Sequence, residues 1–140
     1  MQIKVAIPRY NLVPWLGVSA RMIFIVDDDA ATRDSLQLLL EAHGFEAREL
    51  ADGRTFLDGE RPAAGDCLIL DLTMPGMHGF EVLAELRRRG DSLPVIIVTA
   101  HADPATRSRA AAGGALGVVE KPHRASELLA LVRRALGIGP

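Results

Sequence analysis

The sequence predicts an α/β fold, a parallel sheet with helices on both faces, and two observations carry that reading. Five short apolar runs recur along the chain: Met22–Val26, Phe45–Leu50, Cys67–Leu70, Pro94–Val98 and Leu116–Val119. Each is followed by a polar segment and then by apolar residues at helical spacing, so the chain reads β-α five times over. Short runs that are apolar on both sides and rich in Ile and Val suit strands covered by helices above and below. Repeated β-α units imply parallel strands joined by right-handed crossovers.

Met22–Val26 is wholly apolar and reads as a central strand. Asp29 is placed to N-cap a helix carrying Leu36, Leu39, Leu40 and His43 on its apolar side, with Gly44 as the stop. Phe45–Leu50 alternates with charged residues and reads as an edge strand. Asp52 opens a short helix bearing Phe56 and Leu57. Cys67–Leu70 is the third strand, and Phe80, Leu83 and Leu86 stripe the helix after it, which ends in Arg87-Arg88-Arg89-Gly90. Positive charge there complements the helix dipole, which accounts for the arginines without nucleic acid. After the fourth strand, Asp103-Pro104 supplies a cap and a proline at the first helical position. The Ala-rich helix it opens runs to Gly113-Gly114, and the glycines around the fifth strand predict a mobile segment. Leu128, Leu131, Val132 and Leu136 mark the last helix, stopped by Gly137.

Residues 1–20 fall outside the repeat and are expected to form an N-terminal extension, with 21–140 as the folded domain. Ile3, Val5 and Ile7 alternate like a strand, while Pro8 and Pro14 interrupt the residues after them. The single Tyr and Trp, Tyr10 and Trp15, both lie here. The alternative is an extra strand or docking segment in which Trp15 covers part of the domain. The last helix ends close to Pro140, which leads to the expectation of no output domain.

Composition narrows the class. A chain of 140 residues, 49% hydrophobic and 24% charged, is one domain's worth, since domains run to about 100–150 residues. One cysteine, Cys67, excludes an internal disulfide and a cysteine-based zinc site. A net charge of −2 gives no general attraction to nucleic acid or acidic lipid. No apolar run approaches the ~20 residues of a membrane span, and the first residues make a poor signal peptide, so a cytoplasmic location is expected. Among 16 basic residues only Lys4 and Lys121 are lysine, which singles out Lys121 in the domain.

Ligands of open α/β sheets bind beyond the carboxyl ends of the strands. The first strand runs into Asp27-Asp28-Asp29, the third into Asp71, the fourth into Thr99, and the fifth through Glu120 to Lys121. Taken singly these are ordinary: Asp29 a cap, Asp27 and Asp28 solvated loop residues, Thr99 a strand residue, Lys121-Pro122 a turn. Asp71 after an apolar strand is harder to dismiss, and the joint placement at four strand ends argues for one site. Crowded carboxylates repel by several kcal/mol, roughly 4 kcal/mol at 4 Å and an effective dielectric near 20. Such a cluster suits Mg²⁺ held by few carboxylates, a carbonyl and waters, with a phosphate as co-ligand. Lysine and hydroxyl beside it suit phosphate oxygens, and an aspartate is a competent nucleophile for phosphoryl transfer.

At Ile25-Val-Asp-Asp-Asp29, Asp71-Leu-Thr-Met-Pro-Gly-Met-His-Gly79, Val95-Ile-Ile-Val-Thr-Ala100 and Glu120-Lys-Pro122 the sequence resembles response-regulator receiver domains of two-component signalling. The resemblance spans Met22 to about Leu136, and Thr99-Ala-His-Ala-Asp103 with Glu120-Lys-Pro122 looks like the FixJ-type subgroup. It implies a flavodoxin-like three-layer α/β/α fold with a five-stranded parallel sheet in the order 2-1-3-4-5; the chemotaxis receiver is a standard example of that fold. It further implies that Asp71 accepts phosphoryl from a sensor histidine kinase or phosphotransfer protein. Asp28, Asp71 and the Thr73 carbonyl would coordinate Mg²⁺, with Asp27 acting through metal-bound water. Lys121 and Thr99 would contact the phosphoryl group, and the face of the fourth helix, fifth strand and fifth helix would then switch, dimerise or bind a downstream protein.

Two positions depart from that pattern. Val118 stands where the family places Tyr or Phe, removing an aromatic lever, and His123 replaces a usual Phe. His123 reads as a partly exposed loop residue, with a pH-sensitive contact as the alternative. His78 and His101 flank the site without the spacing of a transition-metal pair, and Cys67 reads as a small buried apolar residue. Three other functions compete. A haloacid-dehalogenase-type phosphatase would carry a second Asp where Thr73 stands. A flavin module would meet repulsion from three acids. A vestigial receiver would act as an interaction domain without phosphorylation, a reading that Val118 keeps open.

Overall fold

A computed structural model describes residues 12–13, 18–19, 21–59 and 61–138. Leu12–Val13 pairs antiparallel with Val18–Ser19, apart from the main sheet. The alternation at Ile3, Val5 and Ile7, and the surroundings of Tyr10 and Trp15, lie outside the described residues.

The main sheet has five parallel strands: β1 (Met22–Val26), β2 (Glu46–Leu50), β3 (Cys67–Asp71), β4 (Val95–Thr99) and β5 (Gly117–Glu120). They lie in the order β2-β1-β3-β4-β5, the flavodoxin-like arrangement. Between and after them run α1 (Ala30–Ala42), α2 (Gly53–Asp58), α3 (Gly79–Arg88), α4 (Pro104–Ala112) and α5 (Ala125–Ala135). Every residue of β1, β3 and β4 is buried, whereas the edge strands β2 and β5 are mostly half-exposed. Central strands meet helices on both faces, which is why their sequences are continuously apolar.

Strand alternation divides the core in two. Phe24, Val26, Leu68, Leu70, Val95 and Ile97 face α2, α3 and α4, where Phe56, Leu83, Leu86 and Ala110 meet them. Ile23, Ile25, Ile69, Ile96, Val98 and Val119 face α1 and α5, against Leu36, Leu40, Leu128 and Val132. Each such aliphatic side chain contributes about 1.5–3 kcal/mol of burial. Phe24 and Phe56 meet edge to face, centroids 5.3 Å apart.

Helix starts obey the expected chemistry. Asp29, Asp52 and Asp103 accept the backbone N–H groups of Thr32, Thr55 and Thr106, and Pro104 opens α4. His43, expected on the apolar side of α1, is instead exposed at the helix end, its Nδ1 3.0 Å from the Leu39 carbonyl. His78, which flanks the site, is the N-cap of α3: its Nδ1 accepts from the Phe80 N–H, and Glu81 accepts from the His78 N–H. Of the three arginines ending α3, only Arg88 and Arg89 pair with Glu85. Arg87 donates to the carbonyls of Asp91, Leu93, Gly113 and Gly114, tying the start of β4 to the end of α4.

Three strands, β3, β4 and β5, run one residue further than their apolar runs, to Asp71, Thr99 and Glu120. Asp71 stays in the ladder opposite Val98, and Thr99 opposite Glu120. The polar residues at these strand ends are therefore fixed by sheet hydrogen bonds rather than carried on loops. Among the described residues, no helix is long and apolar enough to cross a membrane.

Candidate functional site

The site forms where β1, β3, β4 and β5 end on the same edge of the sheet. Val26 lies beside Leu70, so the next residues, Asp27 and Asp71, emerge side by side. The Lys121 N–H donates to the Thr99 carbonyl at 2.8 Å, which carries the β4–β5 pairing past Glu120 and directs Lys121 back over the edge. Lys121 Nζ then stands 3.1 Å from Asp27 Oδ2 and 3.3 Å from Asp71 Oδ1. The Lys121-Pro122 peptide is cis.

Asp27, Asp28 and Asp71 each offer a carboxylate oxygen within 4.8 Å of the others. Asp27 and Asp71 are buried and Asp28 is exposed. Burial, and then the charge of Asp27, push the Asp71 carboxyl above its ordinary range, against the pull of Lys121 and the Thr73 N–H. Burial opposes the Lys121 charge, yet its bonds to the two carboxylates outweigh that cost and raise its pKa. Three carboxylates face one ammonium, so the pocket retains negative charge and offers only oxygen donors. That donor set fits a hard divalent cation such as Mg²⁺.

Asp27 is held at each of its polar groups. Its N–H donates to the Leu50 carbonyl at 3.3 Å and its carbonyl accepts from Arg33 at 2.7 Å. Its Oδ1 accepts from the Asp29 N–H at 2.9 Å, while Oδ2 faces Lys121. Thr99 is buried, and its hydroxyl oxygen accepts from the His101 N–H at 3.2 Å. Thr73 is exposed two residues beyond Asp71, its backbone N–H turned to that carboxylate.

The loop between β3 and α3 is anchored from beneath by buried Leu72 and Met74. Gly79 closes it, its N–H donating to the Leu72 carbonyl at 2.9 Å. A Cβ on Gly79 would stand 2.5 Å from the Asp71 carbonyl oxygen and 2.8 Å from Leu72 Cα, so only glycine lets α3 start this close. Beside Lys121 a cleft opens, lined by Ala31, Thr32, Ser35, Pro122 and His123. His123 is half-buried, and burial followed by the Lys121 charge lowers its pKa. Val118 packs against the core, and its carbonyl accepts from Arg107.

Sequence reasoning thus named the acids, the hydroxyl and the ammonium, but missed Arg33. Its only signal is an arginine one turn into α1, which resembles any surface arginine until β2 brings Glu49 to within 3.3 Å.

Comparison with known proteins bears on the whole domain. The response regulator receiver domain family matches residues 23–133. The transcriptional regulatory protein FixJ of Azorhizobium caulinodans is 37% identical over 115 residues, covering 82% of this chain and 54% of its own length. Similar shares hold for other curated relatives, so the chain spans about half their length. Among solved structures, the response regulator StyR superposes with a TM-score of 0.79 at 36% identity, covering 84% of this chain and 60% of that one. The structure titled FixJ-N gives 0.74 at 30% identity, covering 84% and 94%. With the sheet order, the acidic triad and these matches in agreement, the chain belongs to the response regulator receiver domain family of two-component signalling.

Proposed function

We propose that this receiver takes a phosphoryl group onto Asp71 from the phosphohistidine of a sensor histidine kinase or phosphotransfer protein. The observation that carries the reading is the single pocket in which Asp27, Asp28 and Asp71 converge and Lys121 bridges two of them. An Asp71 oxygen forms the new bond to phosphorus as the P–N bond to the donor imidazole breaks, and the departing nitrogen keeps the electron pair. Asp28, Asp71 and the Thr73 carbonyl would hold Mg²⁺, with Asp27 acting through its bound water; the ion supplies neutralisation of phosphoryl charge. Lys121 adds a fixed positive charge on the same side. The Thr99 hydroxyl leaves the His101 N–H for a phosphoryl oxygen. The cleft beside Lys121 gives the donor its approach.

Phosphorylation adds about −1.5 to −2 charge and three acceptor oxygens at Asp71. Movement of Thr99 and Lys121 toward them biases the face made by α4, β5 and α5, which then binds a downstream protein or a second copy. In this reading residues 1–20 are an appended segment, 21–140 the receiver, and the setting cytoplasmic. The chemistry is one phosphorylation followed by autodephosphorylation, without turnover of a separate substrate.

Intact-mass measurement tests this. Acetyl phosphate or phosphoramidate with Mg²⁺ should add one phosphoryl group to wild type and none to Asp71→Ala. Equal labelling of both removes Asp71 as acceptor. A wild type that never labels points to an interaction domain working without phosphorylation, and sustained hydrolysis of a phosphomonoester points to a phosphatase.

A further inference from the structure

We infer that Arg33 is a positioning residue for the cation site, clamping the turn that presents Asp27 and Asp28. Its guanidinium donates to the Asp27 main-chain carbonyl at 2.7 Å, and its Nε lies 3.3 Å from Glu49 Oε1 on the edge strand β2. Arg33 and Glu49 side chains are only 16% and 24% exposed. This pair is largely withdrawn from water, unlike the exposed ion pairs that contribute little.

The choice of acceptor matters. Arg33 takes the peptide carbonyl of Asp27 and leaves both carboxylate oxygens to Asp29 and Lys121. It therefore orients the acidic turn without spending the negative charge that attracts a cation. Its planar fork reaches two elements at once, α1 bridging to the β1 turn and to β2, which a single ammonium does not reproduce. Groups that orient metal ligands from behind commonly govern metal affinity by 10–100-fold.

The inference rests on the reading that the acidic turn helps hold Mg²⁺, and calorimetric titration with Mg²⁺ alone separates the two. Wild type should bind, and Arg33→Met should bind about tenfold more weakly while remaining folded by circular dichroism. Arg33→Lys should recover only part of the loss. Labelling by acetyl phosphate should show the same split: a higher Mg²⁺ requirement, with the rate restored at saturating Mg²⁺. A folded Arg33→Met that binds Mg²⁺ as wild type does overturns the positioning role. Failure of wild type itself to bind overturns the cation-site reading instead. If Arg33→Met does not fold, Glu49→Gln loosens the far end of the clamp, and a wild-type affinity there is equally fatal.

Discussion

The Lys121 ammonium lies 3.3 Å from the Asp71 carboxylate although the two residues are 50 positions apart and β4 lies between their strands. The same ammonium reaches Asp27 from the other side, so one cation holds two buried acids together. Removing it leaves like charges facing each other with no counter-ion. Lys121→Ala is expected to lower stability by about 1–2 kcal/mol at neutral pH, less than a fully buried pair because Lys121 keeps some solvent contact. The Lys121 pKa is raised, so its contribution is complete below the ordinary lysine value of 10.5 and fades as pH climbs through the folded value. Urea titrations with and without Mg²⁺ check this: the ion should stabilise the variant by more than it stabilises wild type.

At Asp71 the pH dependence has the same sign as at Lys121, but removing the charge has the opposite effect on stability. Its folded pKa lies above the ordinary 3.8, chiefly through burial and then through Asp27. The folded state therefore holds the proton more firmly, and ionising Asp71 costs stability as pH rises from 3.8 through the folded value. Asp71→Asn should melt at a higher temperature than wild type at pH 7 in the absence of Mg²⁺. The gap should close in acid. Thermal melts across a pH series would show it, and a variant less stable at every pH would contradict the assigned strain.

For His123 the sign runs the other way. Its pKa is lowered below the ordinary 6.5 by burial and by Lys121, so the folded state takes up its proton less readily than the unfolded chain. Stability is present above 6.5 and is lost as pH falls toward the folded value. His123→Phe should match wild type above neutrality and exceed it in mild acid. Melting curves at pH 5 and pH 8 discriminate.

Gly79→Ala tests how tightly the end of β3 is braced. The new methyl would meet the Asp71 carbonyl and Leu72 backbone, neither of which can swing aside as a flexible side chain would. Overpacking of this kind costs roughly 1–3 kcal/mol. Because the displaced atoms belong to Asp71, the proposed acceptor, and to Leu72 beside it, labelling by acetyl phosphate should slow along with the loss of stability in urea. Unchanged labelling would mean the loop relaxes away from Asp71.

Arg87→Ala is expected to cost about 2 kcal/mol, since four carbonyls lose a charged donor while water can reach some of them. Arg87→Lys should not recover it, because one ammonium cannot serve acceptors on both loops. Hydrogen exchange should accelerate at Gly114 and Ala115, near the released carbonyls.

Much of the molecule is written in short-range pattern. A strand buried on both faces must be apolar throughout, so β1, β3 and β4 announce themselves, and the edge strand β2 reveals its exposure in polar alternation. Asp29, Asp52 and Asp103 are readable as caps because their partners sit three residues on. The His78 cap hid in plain sight, its Glu81 partner being the available sign. Local pattern alone specifies the strands, the order of their polar endings and the identity of the acids, Thr99 and Lys121. Packing of the folded chain sets the rest: Arg33 spans to Glu49, Arg87 leaves its neighbours' ion pairs for four carbonyls, and Lys121 lands between Asp27 and Asp71. Such contacts join residues distant along the chain, and their distances derive from sheet order and register, which local spacing does not encode.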